Sequence, residues 1–558
     1  MKRQLPETST ENLQDLARLV RFFILKSTAA AGSGHPTSSL SAVELMVALM
    51  FGGVFRADLK RPEYPNNDRL IFSKGHASPL LYALYAAAGR ITASQLLKYR
   101  RFGSRLEGHP MPIFPYTEAP TGSLGQGLSI GVGVALSAKI DRRPFRTYVL
   151  LGDSEMAEGS VWEAIQLAAF RQLDNLTATL DVNRLGQSGP TMLQHDVRTY
   201  AKRLSSFGWQ TKIVDGHRIA DIIKAYREAA QTKGRPTMII ARTFKGKGIS
   251  FLENKEGWHG KALGQEELRR ALHELGPVNA NLKGVVTPPL AHQPKRPGVK
   301  KLSLIKYQPG DEVATRKAFG QGLVRLGRAW PNLVVLDGEV KNSTMTELFE
   351  QTFPRRFIQC FIAEQNMVGA ALGLATRGLL PVASTFAAFF TRAFDQLRMT
   401  QYAGTHQVFV GTHAGVHIGE DGASQMGLED IAMFRTLQDS IVLYPADAVA
   451  MEKLLERALR AEGIVYLRAT RAVTPVLYQP TTRFTIGGSS VLRTSTQDQA
   501  TIVGAGITLH QALRAAEILK KRNVSVRVID LYSIKPVDSV TLRKAARQTG
   551  RLLVVEDH

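Results

Sequence analysis

Cys360 is the only cysteine in 558 residues, so no intramolecular disulfide can form, and the chain suits a reducing compartment such as the cytoplasm. No apolar run approaches the roughly 20 residues of a membrane span. The N-terminal stretch Leu13–Leu25 is interrupted by Arg18 and Arg21, which makes it an amphipathic helix and not a signal-peptide core. Acidic residues are few beside basic ones, 48 against 71, for a formal charge of +23. That surplus does not read as nucleic-acid binding, because the cations are scattered and neither zinc-finger spacing nor an RNA-recognition signature accompanies them. The one tight cluster, Lys295, Arg296, Lys300 and Lys301, lies among Pro288, Pro289, Pro294 and Pro297, as a solvated linker would. Nucleotide signatures are missing too. Gly504-Ala-Gly506 follows a strand, but Leu509 takes the third-glycine position of a dinucleotide fingerprint, and no P-loop occurs.

The composition itself, 44% hydrophobic and 21% charged, is that of a globular chain with a large core. Its length predicts about three or four domains. Short β-rich runs recur at Tyr148–Leu151, Leu176–Val182, Thr237–Ala241, Leu333–Leu336, Val408–Val410, Ile441–Tyr444 and Ile464–Leu467, then at Thr501–Val503, Val524–Ile529 and Leu552–Val555. Helical spacing fills intervening stretches such as Val161–Phe170 and Leu509–Lys520. This alternation predicts α/β domains with largely parallel sheets, whose ligands bind beyond the carboxyl ends of strands. The Pro-rich segment 277–309 reads as a linker, and a weaker boundary lies near Pro475–Pro480. The expected blocks are therefore 1–276, 310–475 and 480–558.

The first informative loop is Gly152-Asp153-Ser154, directly after an expected strand. Ser160-Val-Trp-Glu163 behind it has capping-box spacing for a helix start. A second strand, Leu176–Val182, delivers Asn183 at its own end, 30 residues after Asp153. On neighbouring parallel strands, Asp153, Asn183 and the Leu185 carbonyl offer hard oxygen ligands to Mg²⁺.

This arrangement resembles the thiamine-diphosphate fingerprint, Gly-Asp-Gly with a later Asn, except that Ser154 stands where the family has glycine. A left-handed backbone at that position would disfavour serine. Further segments resemble transketolase: Ser33-Gly-His35-Pro-Thr-Ser38, Ser73-Lys-Gly-His76, Thr121-Gly-Ser-Leu124-Gly-Gln-Gly, Asn183-Arg-Leu-Gly-Gln187, Thr243-Phe-Lys245-Gly-Lys-Gly and Trp258-His259-Gly-Lys261. So do Ile362-Ala-Glu364-Gln-Asn-Met, Ser384-Thr-Phe386-Ala-Ala-Phe389-Phe390 and the run His413–Gln425. Their order is the family's order, and Gln187 with the compact linker is similar to the shorter, animal-like branch. Deoxyxylulose-phosphate synthase shares the architecture, but the His413–Gln425 segment favours transketolase. A catalytically silent relative is a further reading, against which Asp153, Asn183, Glu364, Arg316 and Arg471 count.

The resemblance implies two thiamine-diphosphate-binding folds, a diphosphate and a pyrimidine domain, followed by a C-terminal α/β domain. It implies thiamine diphosphate with Mg²⁺, or Ca²⁺ in its place, in a cytoplasmic homodimer whose sites lie between subunits, with no nucleic-acid or membrane partner. The implied reaction, in the non-oxidative pentose phosphate pathway, moves a two-carbon ketol unit from xylulose 5-phosphate to ribose 5-phosphate or erythrose 4-phosphate. It runs through a covalent dihydroxyethyl-thiamine diphosphate intermediate. By resemblance, Glu364 is a water-shielded carboxyl at the pyrimidine N1′, Phe389 packs on that ring beside Phe386, and Gln425 adds a contact. Ser38, His76, Gly122, Leu124, Ser154, Asn183 and Lys245 match cofactor positions. Asp153, Asn183 and Leu185 match the metal ligands. His35, His76, His259 and His413 would surround substrate hydroxyls. Asp421 would meet a sugar hydroxyl, and Arg316, Arg471, Ser343 and His413 the substrate phosphate. His195, His217 and His417 read as structural or surface groups. Relatives continue past His558, so the C-terminal domain is expected to be truncated, with three recognisable strands. A separate polypeptide supplies the remainder, or the dimer works without it.

Overall fold

The computed structural model describes residues 9–292, 294 and 298–558; Lys295, Arg296 and Pro297 of the basic cluster lie outside the described residues. The chain divides into two compact units, Met1–Lys295 and Arg296–His558. Among the described residues no helix is long and apolar enough to cross a membrane.

The first unit is built on five parallel strands: β1 (Arg69–Phe72), β2 (Thr147–Gly152), β3 (Leu176–Val182), β4 (Gln210–Asp215) and β5 (Thr237–Arg242), in the order β1-β2-β3-β5-β4. β2 and β3 are buried along their whole length; β2 reads as a near-continuous apolar run, while β3 intersperses Thr177, Thr179 and Asp181 among its apolar residues. β4, the half-exposed edge, opens with the polar residues Gln210, Thr211 and Lys212. The register sets Phe72 beside Leu150, Gly152 beside Asp181 and Val182 beside Arg242. The loops after β1, β2, β3 and β5 therefore leave the sheet side by side.

Around this sheet, the helix Thr10–Ala31 buries Leu13, Leu16, Val20 and Ile24, a spacing of one helical face. Arg18 is exposed, but Arg21 is buried and paired with Glu44 at 2.6 Å, so it does not belong to a solvent face. The expected capping box is also corrected. The helix Gly159–Phe170 is capped at Glu158, which places Ser160 inside its first turn. There the Ser160 hydroxyl donates to the Gly125 carbonyl at 2.9 Å and ties down a loop instead.

In the second unit, β6 (Glu312–Ala314) pairs with β13 (Val473–Pro475) as a two-stranded ribbon. A larger sheet contains β7 (Leu333–Asp337), β8 (Phe357–Gln359), β9 (Leu380–Phe386), β10 (Gln407–Thr412), β11 (Ile441–Leu443) and β12 (Ile464–Arg468). These six are parallel, and β17 (Ser533–Lys535) closes one edge antiparallel to β11. A third sheet holds β14 (Ser490–Arg493), β15 (Ala500–Gly504), β16 (Val526–Asp530) and β18 (Leu552–Val555), ordered β14-β16-β15-β18. It has four strands where the sequence predicts three: β14 pairs antiparallel to β16 and is only half-buried, so no continuous apolar run marks it. β18 is an edge strand that exposes Leu552, Leu553 and Val554.

The C-terminal segment is locked to the seven-stranded sheet through Arg468, which is fully buried at the end of β12. Its guanidinium donates to Asp430 at 2.8 Å, to Asp557 at 2.9 Å and to the Gly427 carbonyl at 2.8 Å.

Asp530, at the end of β16, is fully buried and accepts from the Tyr478 hydroxyl at 2.6 Å, while its Oδ1 has no partner. Burial, with Asp447 nearby, pushes its pKa up to about 7. A raised folded value means that its contribution is full below the unfolded carboxylate range and is lost as pH rises through about 7. Asp530→Asn should therefore melt higher than the parent at pH 8.5 by on the order of 5 °C more than at pH 5. A melting difference that does not change with pH would contradict this.

Candidate active site

Beyond the carboxyl ends of β1, β2, β3 and β5 the first unit encloses a cavity of about 200 Å³. Its walls include His35, Ser38, His76, Gly122, Leu124, Asp153, Ser154, Asn183, Leu185, Lys245 and His259, every residue of the first unit singled out for cofactor, metal or catalysis. Lys74, His109, Glu155, Gly186 and Gln187 complete it.

The cavity is held open by buried charge. Asp181, the last but one residue of β3, receives the Lys74 ammonium at 2.5 Å, the Ser41 hydroxyl at 2.6 Å and the Asn183 amide at 3.3 Å. The Thr243 hydroxyl donates to its other oxygen. Burial pushes the Asp181 pKa up, but Lys74 and these hydrogen bonds outweigh it and hold the carboxylate below its usual range. Lys74 also donates to the Ser38 carbonyl at 3.0 Å. Glu155 plays a similar part on the other side, accepting from Ser73, from Gly125 N at 2.8 Å and from Gly152 N at 3.1 Å.

Asp153 and Asn183 leave adjacent strands as the register requires. Asp153 accepts from Arg184 N at 2.7 Å, Ser154 N at 3.0 Å and the Thr191 hydroxyl at 3.1 Å. Burial, then the neighbouring Asp181 charge, raises its pKa to about 6. A cation beside Asp153 would relieve that cost. With the Asn183 amide oxygen and the Leu185 carbonyl it forms a hard oxygen donor set, which suits Mg²⁺ or Ca²⁺. Among the described residues no three His, Cys, Asp or Glu side chains gather as a metal site of their own. A metal here would need further oxygens, such as those of a diphosphate. Ser154 does not lie in the left-handed region and opens a short 3-10 turn, so the objection to serine falls away.

The opposite wall is basic. Lys245 donates to the Leu185 and Gly186 carbonyls at 2.9 and 2.8 Å and meets His259 Nδ1 at 2.7 Å. Its pKa falls to about 8 through burial and Lys74. His35, His76 and His259 form a triangle with ring centroids 5.1–5.3 Å apart. Burial first, then neighbouring histidines and cations, lowers His35 to about 3. Burial with Lys245 and Lys74 lowers His259 to about 4. His76 is pushed well below its ordinary value by burial and Lys74. All three imidazoles are thus held in the neutral form, in which each can donate one hydrogen bond and accept another. His35 Nδ1, Ser38 Oγ and Thr121 Oγ1 are buried without a partner, polar atoms that a bound polar group would satisfy. The lining at Gly122 admits no side chain: its φ is +135°, and a Cβ there would stand 2.9 Å from His109.

The second unit brings its predicted residues to the carboxyl end of its own parallel sheet. Glu364 opens the helix Glu364–Ala375 and is buried, and Arg392 contacts both of its oxygens at 3.1 and 3.2 Å. Phe386 lies between Phe389, at 5.3 Å and 16°, and His413, at 3.9 Å and 24°. Burial, Arg316 and Arg471 lower His413 to about 4. Arg316 donates to the Ser343 carbonyl at 2.9 Å but leaves Nε buried without a partner. Its pKa is lowered by burial and by the Arg471 charge. Arg471 pairs with Glu420 at 2.9 Å and Asp421 at 3.2 Å. Gln425 ends the short turn Ala423–Gln425.

Three features escaped the sequence. Lys74, in the cavity wall, forms a buried pair with Asp181 behind it; an aspartate inside an expected strand was its signal, since such a charge requires a partner. His109 shares the cavity and lies 6.2 Å from His35. Four non-glycine residues with left-handed φ, Arg184, Glu339, Phe361 and His413, stand just after β3, β7, β8 and β10. Such strain gathers at functional loops. As expected, His195 and His217 serve structure, bonding the Thr243 carbonyl at 2.8 Å and Glu44 at 3.1 Å, and His417 is exposed.

Family models match three segments: the transketolase thiamine diphosphate binding domain at residues 13–286, the pyrimidine binding domain at 311–476 and the C-terminal domain at 489–558. Human transketolase is 48% identical over 98% of this chain and 88% of its own length. Mouse transketolase-like protein 2 is 46% identical over all of this chain and 89% of its own. The solved transketolase of Campylobacter jejuni superposes with a TM-score of 0.86 at 24% identity, covering 98% of this chain and 95% of that one. That of Leishmania mexicana does so with 0.86 at 24%, covering 98% and 90%. The chain belongs to the transketolase family of thiamine-diphosphate-dependent enzymes.

Proposed function

We propose that this enzyme moves a two-carbon ketol unit from a ketose phosphate, xylulose 5-phosphate, to an aldose phosphate, ribose 5-phosphate or erythrose 4-phosphate. It would do so in the cytoplasm, in the non-oxidative pentose phosphate pathway. The observation that carries the proposal is the first unit's cavity, where an oxygen donor set faces two lysines and three neutral imidazoles. That polarity suits a diphosphate bound with its metal. Asp153, Asn183 and Leu185 would hold Mg²⁺, while Lys245, Ser154, Gly122, Leu124 and Ser38 would hold the diphosphate and thiazolium portions. When bound, thiamine diphosphate supplies a carbon able to carry carbanion character. Glu364 would hold the proton at the pyrimidine N1′, with Phe389 and Gln425 orienting that ring.

His35, His76 and His259, neutral and mutually close, would orient substrate hydroxyls and move their protons. Arg316 and Arg471, with His413 and Ser343, favour a phosphate: two neighbouring guanidiniums gain most from a dianion between them. Asp421 pairs with Arg471 and would exchange that contact for a sugar hydroxyl. Transketolase structures from Pichia stipitis, alike in fold, hold sedoheptulose 7-phosphate and xylulose 5-phosphate, which supports a phosphosugar substrate. The domains we assign are 1–276 for the diphosphate, 310–475 for the pyrimidine and 480–558 at the C-terminus, joined by the linker 277–309. The active assembly is a symmetric homodimer in which the diphosphate site of one chain meets the pyrimidine site of the other.

Two experiments test this reading. Asp153→Ala and Glu364→Ala should each lose activity by about 100-fold or more. Refolded together, they should regain part of it, because a heterodimer keeps one intact site; verified heterodimers without recovery would point to sites within one chain. Arg471→Ala should raise KM for phosphorylated donors by about 10- to 100-fold and leave hydroxypyruvate turnover near normal. An equal loss on both donors would assign Arg471 to structure.

A further inference from the structure

Arg392 lies at the mouth of the second unit's site, and nothing above gives it a role. Its Nη1 is shared between the two oxygens of Glu364 at 3.1 and 3.2 Å, and its guanidinium stands 5.7 Å over the Phe389 ring. One flat cation thus satisfies a buried carboxylate and covers an aromatic face at once. A carboxylate buried alone is costly, so a partner is required as long as Glu364 faces no other polar group.

The contact has the marks of one that is made to be broken. The Glu364 side chain is 4% exposed, but that of Arg392 is 56% exposed and can swing into water. One nitrogen makes both hydrogen bonds, so the parallel fork of a strong arginine–carboxylate pair is not used. The Arg392 carbonyl accepts from Gln365 Nε2 at 3.2 Å, which anchors the backbone while leaving the side chain free to turn.

We propose that Arg392 is a positioning residue, a built-in counter-ion that competes with the cofactor's pyrimidine for Glu364 and the Phe389 face. The proposal rests on the reading of those two residues as the pyrimidine's contacts. A flat ring with a polar edge toward a carboxylate and a face toward phenylalanine calls on the same recognition as the guanidinium does. Both cannot have it together. Arg392 holds the Glu364 carboxylate in place in the free protein and yields it on binding.

The test measures cofactor binding, not turnover. Apoprotein of the parent, Arg392→Gln, Glu364→Gln and the double variant is titrated with thiamine diphosphate at saturating Mg²⁺, following intrinsic fluorescence at equilibrium and in stopped flow. Melting curves check that each variant is folded. Removing a half-exposed ion pair and its ring contact should tighten binding about fivefold, through faster association. Arg392→Lys, which keeps the charge without the plane, should fall between parent and Arg392→Gln. In the Glu364→Gln background the gain should vanish. If Arg392→Gln binds no tighter than the parent while Glu364→Gln binds more weakly, the competition is overturned and the role of Glu364 stands. If Glu364→Gln binds as the parent does, the reading of Glu364 falls, and the competition with it.

Discussion

The buried contact between Asp181 and Lys74 organises the first unit's chemistry. It joins the carboxyl end of β3 to the loop after β1, and through Ser41, Ser38, Asn183 and Thr243 it reaches the other segments that line the cavity. Parallel strands in register bring these loops to one end of the sheet, and the ion pair sets how closely they approach. Breaking such a pair by removing one partner leaves an uncompensated charge, at a cost of about 3–5 kcal/mol. The same interaction governs electrostatics: Asp181 helps to raise Asp153 toward neutrality, while Lys74 helps to keep His76 and His259 uncharged. One pair thus bears on both the carboxylate and the imidazoles that line the cavity.

In the second unit buried charge is again arranged around arginine. Arg468 binds two aspartates and fastens the chain's last residues to the seven-stranded sheet. Arg316 and Arg471 both depress the His413 pKa; Arg316 keeps a buried Nε without a partner, while Arg471 pairs with Glu420 and Asp421. The excess of positive charge in the composition therefore has a local counterpart in both units: cations gather where anionic groups of cofactor and substrate would bind, and no continuous basic face is needed to explain it.

Much of the fold was legible in the sequence because fully buried parallel strands read as unbroken β-rich runs. β2, β3, β7, β10, β12 and β15 were visible for that reason. β1 was hidden by its four-residue length, β4 by the polar residues Gln210, Thr211 and Lys212 of a half-exposed edge strand, and β9 by Pro381 and its small residues. Site residues were legible where the chemistry sits in a short motif after a strand, as with Asp153, Asn183 and the histidines. Partners that act across the fold were not. Lys74 finds Asp181 over 107 residues of chain, and Arg392 reaches Glu364 from a run that reads as aromatic core. The capping box at Ser160 shows the opposite error: a local pattern was correct in spacing, but the tertiary contact to Gly125 used the hydroxyl otherwise.

The Asp181–Lys74 pair, with Lys74 in the cavity wall and Asp181 behind it, ties together the loops that shape the cavity, and cofactor affinity should depend on it. The direct measurement is the dissociation constant of thiamine diphosphate with Mg²⁺ for Asp181→Asn, by calorimetric titration of protein shown to be folded. Asp181 is fully buried and does not line the cavity, so no contact with a ligand is removed by the substitution. The account predicts affinity at least about tenfold weaker, together with a lowered melting temperature. Binding at the parent's affinity in a folded Asp181→Asn protein would contradict it.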